Sequence, residues 1–236
     1  MLGAAPLNSS YVTGLPVNPA TRELWRRSAW LRATTAVARE TRSRVSPAPV
    51  YGNGLASGSL YFGNAAPSST ILRGLDGGMA ESFVRDAYAP AGSFRGAKQW
   101  RQDVNLLRDV ASKGDAGLAI TKVWSSASKR QTNAVQRYAL ATFLLGYKPG
   151  VSFYSFRDDH GLTQWRSVWG RRIGTPRGSY RKVGTSYVRE FSGGVVVVNP
   201  TGSKTHVRLG GAYRRGGGTV NRVTLRAHRA SILVEA

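Results

Sequence analysis

Gly117-Leu118-Ala119-Ile120-Thr121-Lys122-Val123-Trp124 is a short apolar run between two helical patterns. Its length and its Leu-Ala-Ile centre fit a strand covered on both faces, the signature of a parallel sheet. Upstream, Trp100, Val104, Leu107 and Ala111 lie on one face of a helix predicted over 97–113, which Gly114 stops. Downstream, Val135, Tyr138, Ala139 and Thr142 lie on one side of a helix over 131–145. Three further strands follow from the same pattern. They are Val50–Leu55, Gly74–Glu81, whose glycines indicate close backbone approach or a bulge, and Val151–Phe156. A helix over 20–44, with Leu24, Trp25, Leu31 and Val37 in its apolar stripe, precedes the first strand, and residues 56–70 read as a small-residue loop. Strands alternating with helices predict an α/β fold of about four βα units, half of an eightfold (β/α) barrel.

From about residue 175 the pattern changes. Tyr187–Phe191, Gly194–Val198, Thr205–Leu209, Val220–Leu225 and Ser231–Val234 read as strands. Turn signals such as Asn199-Pro200-Thr201-Gly202, Gly210-Gly211 and Gly216–Gly218 separate them, which predicts a small antiparallel β-sandwich. The chain therefore divides into an N-terminal loop and helix (1–44), the C-terminal half of a (β/α) barrel (45–175) and a β-sandwich domain (176–236).

Composition narrows the function classes. Lysine and arginine number 34 against 12 acidic residues, a formal charge of +22. This suggests a basic nucleic-acid binder, but the cations are scattered from Arg22 to Arg229 with no polybasic arm, which argues against a specific nucleic-acid site. There is no cysteine, so thiol nucleophiles, disulfides and cysteine-held metals are excluded. No apolar run reaches the roughly 18 residues of a membrane span. The first residues, Met1-Leu2-Gly3-Ala4-Ala5-Pro6, carry no signal-peptide pattern. No phosphate loop, dinucleotide fingerprint or Ser-His-Asp arrangement is present, and neither a cofactor nor a metal is expected.

In a barrel, chemistry gathers at the C-terminal ends of the strands. Those ends carry Asn53, Glu81, Lys122 and Trp124, and the group Arg157, Asp158, Asp159 and His160. Carboxylates and amides hydrogen-bond sugar hydroxyls, and aromatic faces stack on pyranose rings; Tyr51, Tyr61, Phe62, Trp124, Tyr154 and Trp165 are the nearby rings. Glu81 is the candidate general acid/base, with a helix-start acid as its plain structural alternative. Asp158 or Asp159 is the candidate second carboxylate, with a solvated ion-paired loop as the alternative. Asn53, Tyr51, Lys122, Trp124 and Tyr154 are the candidate substrate-binding residues. Lys122 has a structural alternative as an ion-pair partner at the strand end, and Asn53 as a turn residue. Asp76 begins the strand that Glu81 follows; about five residues of strand, roughly 16 Å, separate the two. That exceeds the about 5–9.5 Å of a glycosidase carboxylate pair. His206 and His228 are expected at the surface.

Two groups of segments carry a resemblance. The first is Leu75-Asp76-Gly77-Gly78-Met79-Ala80-Glu81-Ser82-Phe83, then Ala119-Ile120-Thr121-Lys122, then Tyr138–Gly146. The second is Arg189-Glu190-Phe191-Ser192-Gly193-Gly194-Val195-Val196-Val197-Val198-Asn199-Pro200-Thr201. In this order they resemble the glycoside-hydrolase-like proteins that join a TIM barrel to a C-terminal β domain, over roughly residues 45–236. The resemblance implies cleavage of glycosidic bonds in a poly- or oligosaccharide, and an extracellular or cell-surface setting. It also implies that these are the later barrel strands, and that a further acidic residue would stand on earlier strands absent here. The chain is then a C-terminal fragment, a reduced fold, or a barrel that a partner chain or oligomer completes. A non-catalytic carbohydrate-binding or cell-surface protein derived from such an enzyme is the alternative.

Overall fold

The computed structural model describes residues 17–63, 67–158 and 166–236. Helix α1 (Arg27–Val45) starts later than the periodicity predicted: residues 18–26 form turns closed by a bridge between Val17 and Leu24. Its buried positions are Leu31, Thr35 and Ala38, which pack on a 3-10 segment (Ser68–Gly74), whereas Leu24 and Val37 of the expected stripe are exposed. Strand β1 (Tyr51–Asn53) follows, then a single helical turn α2 (Gly58–Tyr61), strand β2 (Gly77–Ala80), α3 (Ala97–Ser112), β3 (Ala116–Lys122), α4 (Lys129–Gly146) and β4 (Ser152–Arg157). The loop predicted over 56–70 thus contains α2 and the start of the 3-10 segment. Helix α4 begins at a capping box: the Ser128 hydroxyl accepts from the Gln131 backbone N–H, and the Gln131 side chain accepts from the Ser128 N–H.

The four strands form one parallel sheet in chain order, β1-β2-β3-β4. The register sets Asn53 beside Met79, Met79 beside Leu118, and Lys122 beside Arg157. The glycines of β2 mark close approach, as expected. A Cβ on Gly77 would lie 2.2 Å from the Ala116 carbonyl oxygen, and one on Gly78 2.7 Å from Leu55.

Strand side chains alternate between faces, and the two faces of this sheet differ sharply. Ala80, Ala119, Thr121 and Phe156 are buried, and the core beneath them includes Trp100, Val104 and Leu107 of α3 and Val135 and Tyr138 of α4. The alternate positions Met79, Leu118 and Ile120 are only half-buried, and Tyr51 and Phe153 are 45% and 52% exposed. These side chains belong to none of the apolar clusters, and no described helix covers them. Parallel sheets ordinarily bury both faces; this one keeps an open face, and its outer strands β1 and β4 each have only one partner strand among the described residues.

The remaining strands are β5 (Arg181–Val183), β6 (Ser186–Phe191), β7 (Gly194–Asn199), β8 (Thr205–Arg215), β9 (Gly218–Leu225) and β10 (Arg229–Glu235). They form a single antiparallel sheet, β5-β6-β7-β10-β8-β9, in place of the two stacked sheets of the predicted sandwich. The cause lies at Gly210-Gly211. The expected turn there is a register shift inside β8, between Arg208 and Tyr213. A bulge of this kind bends its strand, and the far half of β8 reaches β10 through Tyr213 and Arg214. Val188, Val195, Val197, Val207, Val223 and Leu233 gather into one apolar cluster on one side. Tyr187, Phe191, Val196, Val198 and Ile232 join the core shared with α4 on the other. The two sheets therefore share one core through α4.

Candidate functional site

The C-terminal ends of β2 and β3 bring together a glutamate, a lysine and an indole. Glu81 follows the last residue of β2, and Lys122 ends β3 on the open face. Lys122 Nζ lies 3.1 Å from Glu81 Oε1 and 4.7 Å from the centroid of the Trp124 ring. Lys122 is 12% exposed and Glu81 38%, so the pair sits at the surface with the carboxylate on the outer side. An ammonium between a carboxylate and an aromatic face gains from both ion pairing and the cation–π attraction. Lys122 thus takes the ion-pair position at the strand end that the sequence offered as its structural alternative. Tyr88 meets the Trp124 ring edge-on at 5.3 Å and is largely exposed, so two aromatic surfaces flank the charged pair.

The loop 81–96 holds this geometry, and its fasteners run to β3. Phe83 donates its backbone N–H to Ile120 O (3.0 Å), and Thr121 Oγ1 donates to Phe83 O (3.1 Å). Trp124 N–H donates to Ala87 O (2.9 Å). Arg85 is 1% exposed; it donates to Lys122 O at 2.5 Å and also to the carbonyls of Ala89 and Pro90. Burial lowers the pKa of its guanidinium below the usual value, with Asp86 opposing. Val84 holds a left-handed backbone, φ 63°, at a fully buried position, a conformation that costs a β-branched residue energy and persists only where its surroundings impose it. That surrounding is Asp103 of α3. Its Oδ1 accepts from Gly58 N (2.7 Å), and its Oδ2 accepts from Val84 N (3.2 Å) and Arg95 Nη1 (2.8 Å). Burial pushes the Asp103 carboxyl up, against the pull of Arg95 and the two backbone donors.

The other predicted residues separate into three groups. Tyr51 and Asn53 lie on the open face of β1, the same side as Lys122. Tyr154 lies on the opposite face. Strand alternation places it with Ser152 and Phe156, and its ring packs on Phe143 of α4 at 5.2 Å and on Trp169 at 6.5 Å. Burial pushes its phenol well above the ordinary range. It is half-buried on the helix side of the sheet, and the structure does not bring it together with Glu81 and Lys122. Asp158 follows β4 and is ion-paired with Arg166, which also reaches Asn133 Oδ1 at 3.5 Å; this matches the ion-paired-loop alternative. Asp159, His160 and Trp165 lie outside the described residues. Asp76 stands at the other end of β2, bonded to Val50 N (2.9 Å) and paired with Arg42 (2.5 Å), a structural role.

Tyr61 is buried rather than available to a sugar: its hydroxyl donates to Asp109 at 2.5 Å, and burial with that neighbour raises its pKa far above the usual phenol value. Phe62 is exposed beside it. His228, expected at the surface, is half-buried and stacks on Phe94 at 5.1 Å, while His206 is exposed and bonded to Thr224. Sequence reasoning missed Tyr88 and Arg85, which fall in a stretch that carries no periodic signal. Among the described residues no group of three or more His, Cys, Asp or Glu could hold a metal ion, and no helix is long and apolar enough to cross a membrane.

A family model described as hypothetical glycosyl hydrolase family 15 matches residues 26–195, a span that contains the parallel sheet, its helices and the whole Glu81–Lys122–Trp124 cluster. No curated protein matches the chain.

Proposed function

The chain belongs to the hypothetical glycosyl hydrolase family 15, and from that premise we propose that it acts on glycosidic bonds, with Glu81 as its catalytic carboxylate. The observation that carries the proposal is the Glu81–Lys122–Trp124 cluster on the open rim of the parallel sheet. A sugar ring laid on Trp124 and Tyr88 brings its hydroxyls to Lys122. A hydroxyl that takes over the Lys122 ammonium frees Glu81 to serve as acid/base at the glycosidic oxygen. Arg85 and Asp103 do not touch the substrate in this scheme; they fix the loop that carries Glu81 and Tyr88.

The finer architecture we propose is half of a (β/α)8 barrel. Four parallel strands in chain order, one face helical and one open, are what such a half presents. Further βα units, pairing along the edges of β1 and β4, would close the open face and supply the second carboxylate. Among the described residues Asp76 and Asp158 are both engaged by arginines, and no acidic side chain besides Glu81 pairs at the Lys122 rim. This same shortage favours a second reading, in which the chain binds carbohydrate without turning it over.

The test is a panel of polysaccharides and aryl glycosides offered to the purified chain and to Glu81→Gln. Catalysis predicts hydrolysis that falls on the order of 10²–10⁴-fold in the variant. Glycan binding with no turnover in either protein supports the second reading. Hydrolysis unaffected by the substitution removes Glu81 from the mechanism.

A further inference from the structure

A second feature, distinct from the Glu81 rim, lies where α4 meets the antiparallel sheet. Two adjoining cavities of about 300 and 610 Å3 open there and share Arg137, Arg229 and Ala230 in their walls. The first adds Arg171, Arg215 and Arg226; the second adds Lys129 and Arg130. Seven cations thus line one trough, and neither cavity has an acidic residue in its wall. None of the seven makes an ion pair with a described residue, whereas all eight ion pairs found among the described residues engage an arginine or lysine that lies outside the trough. The floor is apolar where Val168, Leu225 and Ile232 contribute, and Arg171 is fixed by donating to Ile232 O at 2.5 Å.

We propose that this trough is a binding groove for an acidic polysaccharide, one bearing carboxylate or sulfate groups. The proposal deepens the glycan reading above and rests on it for the polymer class. Arginine forks match carboxylate and sulfate oxygens two at a time, and cations over an apolar floor act in a medium less screened than open water. No aromatic ring lines either cavity. Single-stranded nucleic acid is ordinarily held by rings on which its bases stack, so the groove's chemistry favours the acidic glycan. Position supports a link to the rim. Asn133 lines the second cavity and accepts from Arg166, which holds Asp158 at the C-terminal end of β4. The groove is thereby tied to the C-terminal end of β4, the strand that pairs with the Lys122 end of β3.

The experiment titrates polygalacturonate, dextran sulfate, neutral dextran and a single-stranded oligothymidylate into four proteins at several salt concentrations. These are the unmodified chain, Glu81→Gln, the double reversal Arg137→Glu/Arg229→Glu, and a control with the same net charge, Lys98→Glu/Arg101→Glu on exposed positions of α3. The proposal predicts that the acidic glycans bind and that added salt weakens them. The groove reversal loses about tenfold or more in affinity, the control stays near the unmodified chain, and Glu81→Gln binds unchanged. Equal losses in both reversals would show diffuse surface charge and overturn the groove. Tighter, groove-dependent binding of the oligothymidylate, or equal binding of neutral dextran, would also overturn it. Failure of the catalytic reading shows separately, as absent hydrolysis with groove binding intact.

Discussion

Replacing Asp103 by asparagine keeps the volume of the side chain and removes its charge, so it isolates the electrostatic fastening of the 81–96 loop. The carboxylate takes three hydrogen bonds: Gly58 N–H on one oxygen, Val84 N–H and Arg95 on the other. An amide can keep only one oxygen. The better orientation leaves that oxygen on Val84 and Arg95 and turns the NH2 toward Gly58, whose buried N–H then faces another donor. An orphaned buried donor costs about 1–3 kcal/mol. Arg95 also loses its buried counter-charge; it is 13% exposed and keeps Asp86 at 3.2 Å, which holds that part near about 1–2 kcal/mol. The expected loss is about 3 kcal/mol, a large share of the about 5–15 kcal/mol that stabilises a typical domain. Urea unfolding at neutral pH measures it as a lower midpoint at unchanged slope. A loss below about 1 kcal/mol would refute the reasoning, because it would mean that the carboxyl is in effect neutral in the fold and that asparagine serves equally well.

Two further outcomes follow from other parts of the structure. Burial and the neighbouring Arg229 lower the pKa of His228 below its ordinary 6.5, so the folded state binds fewer protons there than the unfolded chain. Its contribution is complete above about pH 6.5 and is lost as pH falls below that value toward the folded pKa; comparing the pH dependence of stability with that of His228→Phe measures it, and an equal acid dependence in both proteins would contradict the assignment. Phe153 is 52% exposed on the open face, so Phe153→Glu should change stability by less than about 1 kcal/mol; a loss of several kcal/mol in thermal or urea unfolding would show that this face is packed within the chain.

The parallel sheet was legible because β3 is a short apolar run, glycine or proline sets off the other strands, and the helices between them carry clear stripes. The Glu81–Lys122–Trp124 cluster was legible for the same reason: once Ala80 and Lys122 are recognised as strand ends, the residues that follow share one rim. The face taken by Tyr154 was not legible because Phe153-Tyr154-Ser155-Phe156 puts aromatics on both faces of β4, and alternation cannot then tell which face is covered. The start of α1 was misjudged because Leu24 and Trp25 continue its stripe by chance; the chain there is tied instead by Asn18, whose backbone N–H donates to Glu23 O at 2.8 Å. The sandwich became one sheet because a Gly-Gly pair reads equally as a turn or as a bulge, and only the partner strand β9 decides between them. β5, three residues with two of them exposed, has no alternation long enough to detect.

The central claim, that sugars are taken up at the open rim between β2 and β3, is tested most directly by an amide and indole NMR titration with an oligosaccharide that the glycan panel shows to be bound or cleaved. The account predicts shifts at Glu81, Tyr88, Lys122 and the Trp124 indole, with the opposite end around Tyr61, Asp109 and Lys113 unmoved. Shifts centred on that opposite end, or a saturating glycan that leaves the Trp124 indole and the Lys122 amide where they were, would contradict it.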